Sequence, residues 1–221
     1  MKPSHLFLSG SKTNSPVRGF LHRPENPPTN ALVLTHGAGS NCNAPLLVAL
    51  ADAFSQAGWL VLRCDLPFRQ RRPTGPPPRG AGERDQAGLR AAIEAMRGEA
   101  AGRVYLGGHS YGGRQGSMLA ATEPGVAEAL LLLSYPLHPP QRPDMMRIAH
   151  LPELRTPALF VHGTNDGFGS IEEMQAAMKL IPARTELFAV DNAGHELLTA
   201  RNRRALAGQI ATAFLGFAAG R

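Results

Sequence analysis

Residues 107–117 read GGHSYGGRQGS and directly follow the apolar residues VYL. The order Gly108-x-Ser110-x-Gly112 is that of a nucleophile elbow, a sharp strand-to-helix turn that exposes a serine hydroxyl above a sheet. Glycines are needed there because the strained serine backbone brings its neighbours too close for side chains. The stretch therefore predicts a strand, a turn at Ser110, and a helix that starts near Tyr111. Whether Ser110 is an activated nucleophile or only a small residue in a glycine-rich turn is decided by its context, because so short a motif also occurs by chance.

Six short apolar runs lie along the chain at the spacing of strands in a parallel sheet. They are continuous rather than alternating, which is typical of strands buried on both faces. The runs are ALVLTHG (31–37), WLVLRCD (59–65), RVYLGG (103–108), ALLLLSYP (129–136), ALFVHG (158–163) and ELFAVD (186–191). The first 28 residues predict an antiparallel hairpin at the edge of this sheet.

Helix-like segments separate these runs, at 44–58, 83–98, 170–181 and 201–217. The first two end in glycines, which favour helix C-termini. The third opens with Ser170 and Glu173, the spacing of a capping box. Strand followed by helix, repeated, predicts an α/β fold with a mostly parallel sheet and helices on both faces.

Two segments interrupt this alternation. Residues 66–82 are rich in Pro, Gly and Arg and are expected to form no regular element. Residues 134–157 contain six prolines around one helix-capable stretch at 144–150. Both segments follow strands, so we expect both at the carboxyl edge of the sheet, where ligands bind in open α/β folds.

Several side chains in these two segments have both a possible functional role and a simpler structural explanation. Met145 and Met146 could line an acyl pocket as a minimal lid, but a pair of methionines is more often ordinary packing. Four arginines could attract an anionic substrate, but an exposed, solvated loop is the simpler expectation. They are Arg69, Arg71, Arg72 and Arg79.

The chain has 221 residues, of which 43% are hydrophobic and 18% charged. This predicts one globular domain over residues 1–221. The net charge is +6, and 20 arginines outnumber 3 lysines. Arginine can bind nucleic acid, yet no zinc spacing, helix-turn-helix or RNA-binding signature accompanies the charge. We therefore expect no nucleic-acid partner.

Targeting and cofactor signals are weak. The N-terminal apolar core is too short for a signal peptide, and residues 205–220 are too few and too polar for a membrane helix. We expect a cytoplasmic protein without a membrane partner, in which Cys42 and Cys64 stay reduced.

The histidine and cysteine spacings predict no metal, and the missing strand–GxGxxG–helix unit predicts no dinucleotide. The oligomeric state stays open.

A serine nucleophile needs a base and a group that orients the base. Asp166 follows the fifth apolar run in VHGTNDGFG, and His195 follows the sixth in VDNAGHELL. In the predicted mechanism His195 is the general base for Ser110, and Asp166 orients its imidazole. The order Ser, Asp, His is the one used in α/β-hydrolases. Asp191 is the nearest rival for the acid, although it lies only four residues before the base.

The developing oxyanion needs preorganised donors. One predicted donor is the backbone N–H of Tyr111, the residue after the nucleophile. The second is expected from the loop after the first strand, HGAG at 36–39, where the N–H of Ala38 is the candidate. The alternative for HGAG is a simple tight turn.

Five motifs in order carry a family resemblance: HGAG, LRCDLPFR, GGHSYGGR, GTNDGFG and NAGH. Together they resemble the α/β-hydrolase superfamily over nearly the whole chain. LRCDLPF, SYPLHPP and HGTNDGFGS further resemble dienelactone-hydrolase-like proteins related to testis-expressed protein 30 and to subunit 3 of the non-specific-lethal complex. Dienelactone hydrolases proper use a cysteine where this chain has Ser110, and the narrower group often has arginine where it has His109.

The resemblance and the residues together predict a serine hydrolase that cleaves a small carboxylic ester or thioester through a Ser110 acyl-enzyme, with no cofactor. One alternative is a non-catalytic binding or scaffold protein in which residues 66–82 contact a partner. Another is acyl transfer or perhydrolysis by the same residues, since only the molecule that enters the acyl-enzyme differs. The sequence does not identify the natural substrate.

Overall fold

A computed structural model describes residues 4–9, 16–100 and 102–220. Eight strands form one sheet in the order β1-β2-β4-β3-β5-β6-β7-β8. They are β1 (His5–Ser9), β2 (Val17–His22), β3 (Ala31–Thr35), β4 (Leu60–Cys64), β5 (Val104–His109), β6 (Leu130–Leu133), β7 (Ala158–Gly163) and β8 (Thr185–Val190). The six apolar runs correspond to β3 to β8, so the strand predictions are confirmed.

Six α-helices occur in the described part of the chain. They are α1 (Pro45–Gln56), α2 (Pro67–Arg71), α3 (Gly82–Arg97), α4 (Tyr111–Thr122), α5 (Ile171–Met178) and α6 (Leu206–Ala218). The predicted capping box is present at α5, where Ser170 and Glu173 satisfy each other's backbone N–H. The last helix begins five residues later than its sequence pattern suggested, because residues 201–205 form turns.

The sheet is parallel from β4 through β3 to β8, while β1 and β2 pair antiparallel at one edge. This confirms the edge hairpin, whose connection at 10–15 lies outside the described residues. Thr35 is opposite both Cys64 and Gly108, and His109 is opposite Leu133. The carboxyl ends of the central strands are therefore level, and the loops that follow them meet above one edge.

Alternate strand residues enter two hydrophobic cores. Val33, Leu62 and Leu106 face a core shared with α3, α4 and α5. Leu34 and Val61 face the opposite core, shared with α1 and α6. Helices thus cover both faces, as the α/β prediction requires, and the fold class is confirmed.

The expectation that residues 66–82 hold no regular element is wrong at both ends. Pro67–Arg71 forms α2, because proline at the first helical position lacks an N–H that would have no intrahelical partner anyway. Gly82 already belongs to α3. The high proline content of the segment did not indicate this short helix, because Pro67 begins the helix instead of interrupting it.

The stretch at 144–150 does not form the helix that its composition allowed. A single 3₁₀ turn at Leu151–Glu153 follows it instead. Met145 and Met146 remain 48% and 38% exposed, so neither packs as an ordinary core residue. Within the part of the chain that the structure describes, no helix is both long and apolar enough to cross a membrane.

The aromatic cluster behind the sheet offers a test of the packing. Phe214 is fully buried, with ring centroids 5.9 Å from Phe54, 6.2 Å from Trp59 and 5.8 Å from Tyr105. We expect Phe214→Ala to lower the free energy of unfolding by about 3–5 kcal/mol, because it leaves a cavity among rings that cannot collapse. Urea denaturation followed by the fluorescence of Trp59 measures this.

Gln209→Ala is the matched control, because Gln209 is exposed on the same helix. Its effect should stay within about 0.5 kcal/mol. Equal losses for the two variants would contradict the packing described for α6.

Candidate active site

Ser110 occupies a sharp turn between β5 and α4, with φ +50° and ψ −117°. Glycines make the turn possible. A Cβ on Gly108 would lie 2.4 Å from the nitrogen of Gly113, and one on Gly112 would lie 2.5 Å from the carbonyl oxygen of His36. Real Cβ atoms do not approach backbone so closely, so strand, turn and helix pack together only with glycine at these positions.

The structure brings three of the predicted site residues into one hydrogen-bonded chain. Ser110 Oγ lies 2.8 Å from His195 Nε2, and His195 Nδ1 lies 2.9 Å and 3.0 Å from the two carboxylate oxygens of Asp166. Asp166 follows β7 and His195 follows β8, so their loops meet over Ser110. Asp191, the rival acid, is exposed, and the carboxylate that contacts His195 is that of Asp166.

The Asp166 carboxylate is completely buried yet well satisfied. It accepts hydrogen bonds from the backbone N–H of Phe168, at 2.9 Å, and from His195. Burial by itself would raise the pKa of this carboxyl, but the hydrogen bonds from His195 and Phe168 outweigh it and hold the pKa below its ordinary value. Asp166 is therefore ionised at neutral pH and can orient the imidazole.

Two neighbours fix His195 in place. The Phe168 ring stacks on its imidazole with centroids 4.1 Å apart. His109 Nε2 donates to the backbone carbonyl of His195 at 2.9 Å. Because His109 directly precedes Ser110, this contact ties the loop of the histidine to the elbow of the serine.

The HGAG loop after β3 packs against the elbow. A Cβ on Gly37 would lie 3.4 Å from the Cβ of Ser110, so this loop approaches the serine closely. Ala38 and Tyr111, the two predicted oxyanion donors, both line a cleft of about 740 Å³ that also contains Ser110 and His195. The structure thus places four of the five predicted residues around one open cleft, and the fifth, Asp166, is buried behind His195.

Arg69 holds the HGAG loop from behind, and the expectation that it is exposed is wrong. Its side chain is only 3% exposed. It donates to the carbonyl oxygens of Ala38 and Ser40 at 2.8 Å and 2.7 Å, and to those of Arg72 and Gly75 at 3.0 Å and 2.9 Å. One planar guanidinium therefore joins the HGAG loop to the segment 66–82.

His36 connects the same two loops as a neutral ring. Its Nδ1 donates to the carbonyl of Gly37 at 2.8 Å, and its Nε2 accepts from the N–H of Leu66 at 3.1 Å. Burial lowers the pKa of His36 to about 4. Protonation would place an N–H against the N–H of Leu66, so the neutral form is the one this loop requires.

The two cysteines lie away from the cleft as buried free thiols. Burial raises the pKa of Cys42 to about 12 and also raises that of Cys64. The backbone N–H of Cys42 donates to the carboxylate of Asp65 at 2.9 Å, which places Cys42 beside the end of the strand that contains Cys64. At neutral pH both are protonated and unreactive.

Sequence reasoning missed the supporting residues rather than the central ones. Arg69, His109 and Phe168 each lie inside a motif quoted above, so their positions were visible. Their contacts were not, because each reaches a residue from a different loop. A motif identifies neighbours along the chain, whereas these side chains act on neighbours across the sheet edge.

A family model described as an alpha/beta hydrolase domain matches residues 28–215. Similar solved structures include Est1E from Butyrivibrio proteoclasticus, 15% identical with a TM-score of 0.77, covering 98% of this chain and 99% of that chain. A dienelactone hydrolase from Anabaena variabilis is 21% identical, with a TM-score of 0.75 and coverages of 97% and 98%. A lidless serine hydrolase from Xanthomonas campestris is 17% identical, with a TM-score of 0.74 and coverages of 98% and 96%.

These structural likenesses establish the fold alone. The narrower grouping with testis-expressed protein 30 and subunit 3 of the non-specific-lethal complex stays a prediction.

The role of Arg69 can be tested by stability. We expect Arg69→Leu to lower the free energy of unfolding by about 2–4 kcal/mol, because it leaves buried carbonyl oxygens without donors. Arg71→Leu on the same helix is the matched control, since Arg71 is exposed and should cost less than about 0.5 kcal/mol. Urea denaturation measures both, and similar costs would refute the role of Arg69.

The neutral state of His36 gives a pH dependence. Its folded pKa of about 4 lies below the ordinary value of 6.5, so the unfolded chain takes up a proton that the folded protein excludes. Stability from this group is fully present above about pH 6.5 and is lost as the pH falls towards 4. Between pH 7 and pH 5 it should contribute a loss of about 2 kcal/mol.

Urea midpoints at the two pH values measure this loss, and His36→Asn serves as the non-titrating comparison. We expect the variant to lose about 2 kcal/mol less than the wild type over this interval. The same loss in both proteins would show that His36 titrates normally.

Proposed function

The chain belongs to the alpha/beta hydrolase domain family, and from this premise we propose that it is a serine hydrolase that cleaves a small carboxylic ester or thioester through an acyl-enzyme on Ser110. The proposal rests on one observation. Ser110 Oγ, the His195 imidazole and the Asp166 carboxylate form a continuous hydrogen-bonded chain at 2.8 Å and 2.9 Å, and the serine end opens into the cleft.

In the first half-reaction Ser110 Oγ attacks the substrate carbonyl carbon while His195 Nε2 takes the hydroxyl proton. Asp166 keeps Nδ1–H directed towards itself and stabilises the imidazolium. The bond from carbon to the leaving oxygen or sulfur then breaks, and His195 returns the proton to the leaving group. The products are the free alcohol or thiol and an ester of Ser110.

In the second half-reaction water attacks this ester, and His195 accepts a proton from the water. The carbon–Oγ bond breaks, the proton returns to Oγ, and the acid is released. In both steps the backbone N–H groups of Ala38 and Tyr111 stabilise the tetrahedral oxyanion. Tyr111 is the first residue of α4, where backbone N–H groups have no intrahelical partner and the helix dipole favours negative charge.

The shape of the site favours small substrates. Its cleft is open and holds about 740 Å³, within the usual range for small-molecule sites. Met145 and Met146, the lid candidates of the sequence, do not line this cleft. Ferulic acid, an aromatic carboxylic acid, is bound in one structure of Est1E, and an acid of this size is a reasonable product class to test here.

The alternatives differ in how they use the same residues. Acyl transfer and perhydrolysis need the same acyl-enzyme and differ only in the molecule that resolves it. A scaffold role for residues 66–82 has less support, because Arg69 points inward and bonds the chain itself. Arg71, Arg72 and Arg79 are the arginines of that segment that remain exposed.

Labelling with a fluorophosphonate tests the proposal without knowledge of the substrate. The probe phosphonylates an activated serine with loss of fluoride, so we expect wild type to be labelled and both Ser110→Ala and His195→Ala to remain unlabelled. Asp166→Asn should slow labelling by about 10⁴-fold, because the imidazole loses its orienting carboxylate. Gel fluorescence and intact mass measure the reaction.

Ser117→Ala is the matched control. Ser117 Oγ also lies 2.8 Å from a histidine nitrogen, Nε2 of His150, but it is fully buried and donates to the carbonyl of Arg114. We expect its labelling to equal that of wild type. A wild type that is folded by circular dichroism yet unlabelled would refute the proposal.

A further inference from the structure

Arg114 lies one turn after the elbow and lines the cleft together with Ser110. Its backbone N–H donates to the carbonyl of Ser110 at 3.0 Å, so the first turn of α4 is bonded to the residue that precedes the helix. The Nε of Arg114 is buried and has no hydrogen-bond partner among the described residues.

Arg147 lies in the loop after β6 and lines the same cleft. Its backbone is fixed by two hydrogen bonds. Its N–H donates to the carbonyl of Leu137 at 2.7 Å, and its carbonyl accepts from the Tyr135 hydroxyl at 2.8 Å. Burial and then the positive charge of Arg114 lower the pKa of Arg147. Two guanidinium groups are thus held near each other at the edge of the site.

Neither arginine is neutralised by an acidic side chain of the described residues. Across the described ranges, no ion pair involves Arg114 or Arg147, although other arginines of the chain pair with Asp or Glu. The acidic residue in the cleft is Glu196, which follows the histidine at the other end. The same two arginines also line an adjoining cleft of about 850 Å³, so they stand where the two clefts meet.

We propose that Arg114 and Arg147 bind an anionic group of the substrate, so that this site selects esters carrying a carboxylate or phosphate a few bonds from the reacting carbonyl. Guanidinium groups bind these anions through paired, charge-assisted hydrogen bonds. The anion would approach the two arginines from the cleft that both of them line and would offset the repulsion between the two charges. This inference rests on the proposed function for the identity of the reacting group.

Two matched pairs of esters test the selection and show which side of the ester bears the anion. The acyl-side pair is mono(4-nitrophenyl) glutarate and 4-nitrophenyl pentanoate, and the alcohol-side pair is 4-acetoxyphenyl phosphate and 4-methoxyphenyl acetate. We expect wild type to prefer the anionic member of at least one pair by about 10-fold or more in kcat/KM, corrected for spontaneous hydrolysis. In Arg114→Gln and in Arg147→Gln the ratio should fall towards one.

Arg155→Gln is the matched control. It changes the net charge equally, and Arg155 is exposed and lines neither cleft. Its kinetic ratios should equal those of wild type. Overturning results are the absence of an anionic preference in both pairs, or a preference that survives both cleft substitutions.

Binding to Ser110→Ala separates this inference from the proposed function, because it requires no turnover. The ligands for calorimetry are the anionic ester of the preferred pair and the matching free anion, which is glutarate for the acyl-side pair and inorganic phosphate for the alcohol-side pair. We expect both to bind Ser110→Ala at least about 10-fold more tightly than they bind Ser110→Ala/Arg114→Gln. Equal affinities would overturn the anion site even if hydrolysis is observed. An unlabelled wild type that still binds the anion through Arg114 would instead refute only the hydrolase proposal.

Discussion

The backbone of Ser110, held at φ +50°, is the constraint on which the rest of the site depends. This conformation is unfavourable for a residue with a Cβ, by about 1–3 kcal/mol. Two backbone hydrogen bonds of Ser110 offset this cost. Its N–H donates to the carbonyl of Leu133 at 2.8 Å, and its carbonyl accepts from the N–H of Arg114 at 3.0 Å. The same turn forces glycine into positions 108 and 112, because β5, α4 and the HGAG loop have no room for a Cβ there. One strained residue therefore fixes where three chain segments meet.

The second requirement is that loops from distant parts of the chain stay in register above the sheet. The level carboxyl ends of the parallel strands bring these loops together, but they do not fix them. Specific polar contacts do so: His109 donates to the carbonyl of His195, and Arg69 joins the HGAG loop to residues 66–82. Both contacts use backbone carbonyls as acceptors. The geometry around Ser110 is thus held by side chains that themselves stay outside the proposed chemistry.

Most of the fold could be read from the sequence, because buried parallel strands leave continuous apolar runs and glycine-capped helices separate them. Ser110, Asp166 and His195 were recognisable for the same reason, since each follows a predicted strand. The segment 66–82 was misjudged because its proline content was taken as a sign of irregular structure, and the stretch 144–150, whose composition allowed a helix, contains turns instead. Proline at a first helical position favours α2, whereas in 144–150 the N–H of Arg147 donates to the distant carbonyl of Leu137 instead of to a carbonyl one helical turn earlier. Such outcomes depend on tertiary contacts that local composition does not encode.

Arginine shows most clearly why composition does not decide function here. Arg69 and Arg114 both lie beside the cleft, and either could have been counted as a solvated basic residue. Arg69 donates to four carbonyl oxygens, so its hydrogen-bonding capacity is largely used within the protein and its role is structural. Arg114 keeps a buried Nε without an acceptor and stands near a second positive charge. Two like charges held near each other repel, so an anion that enters the cleft lined by both arginines and by Ser110 would stabilise the arrangement.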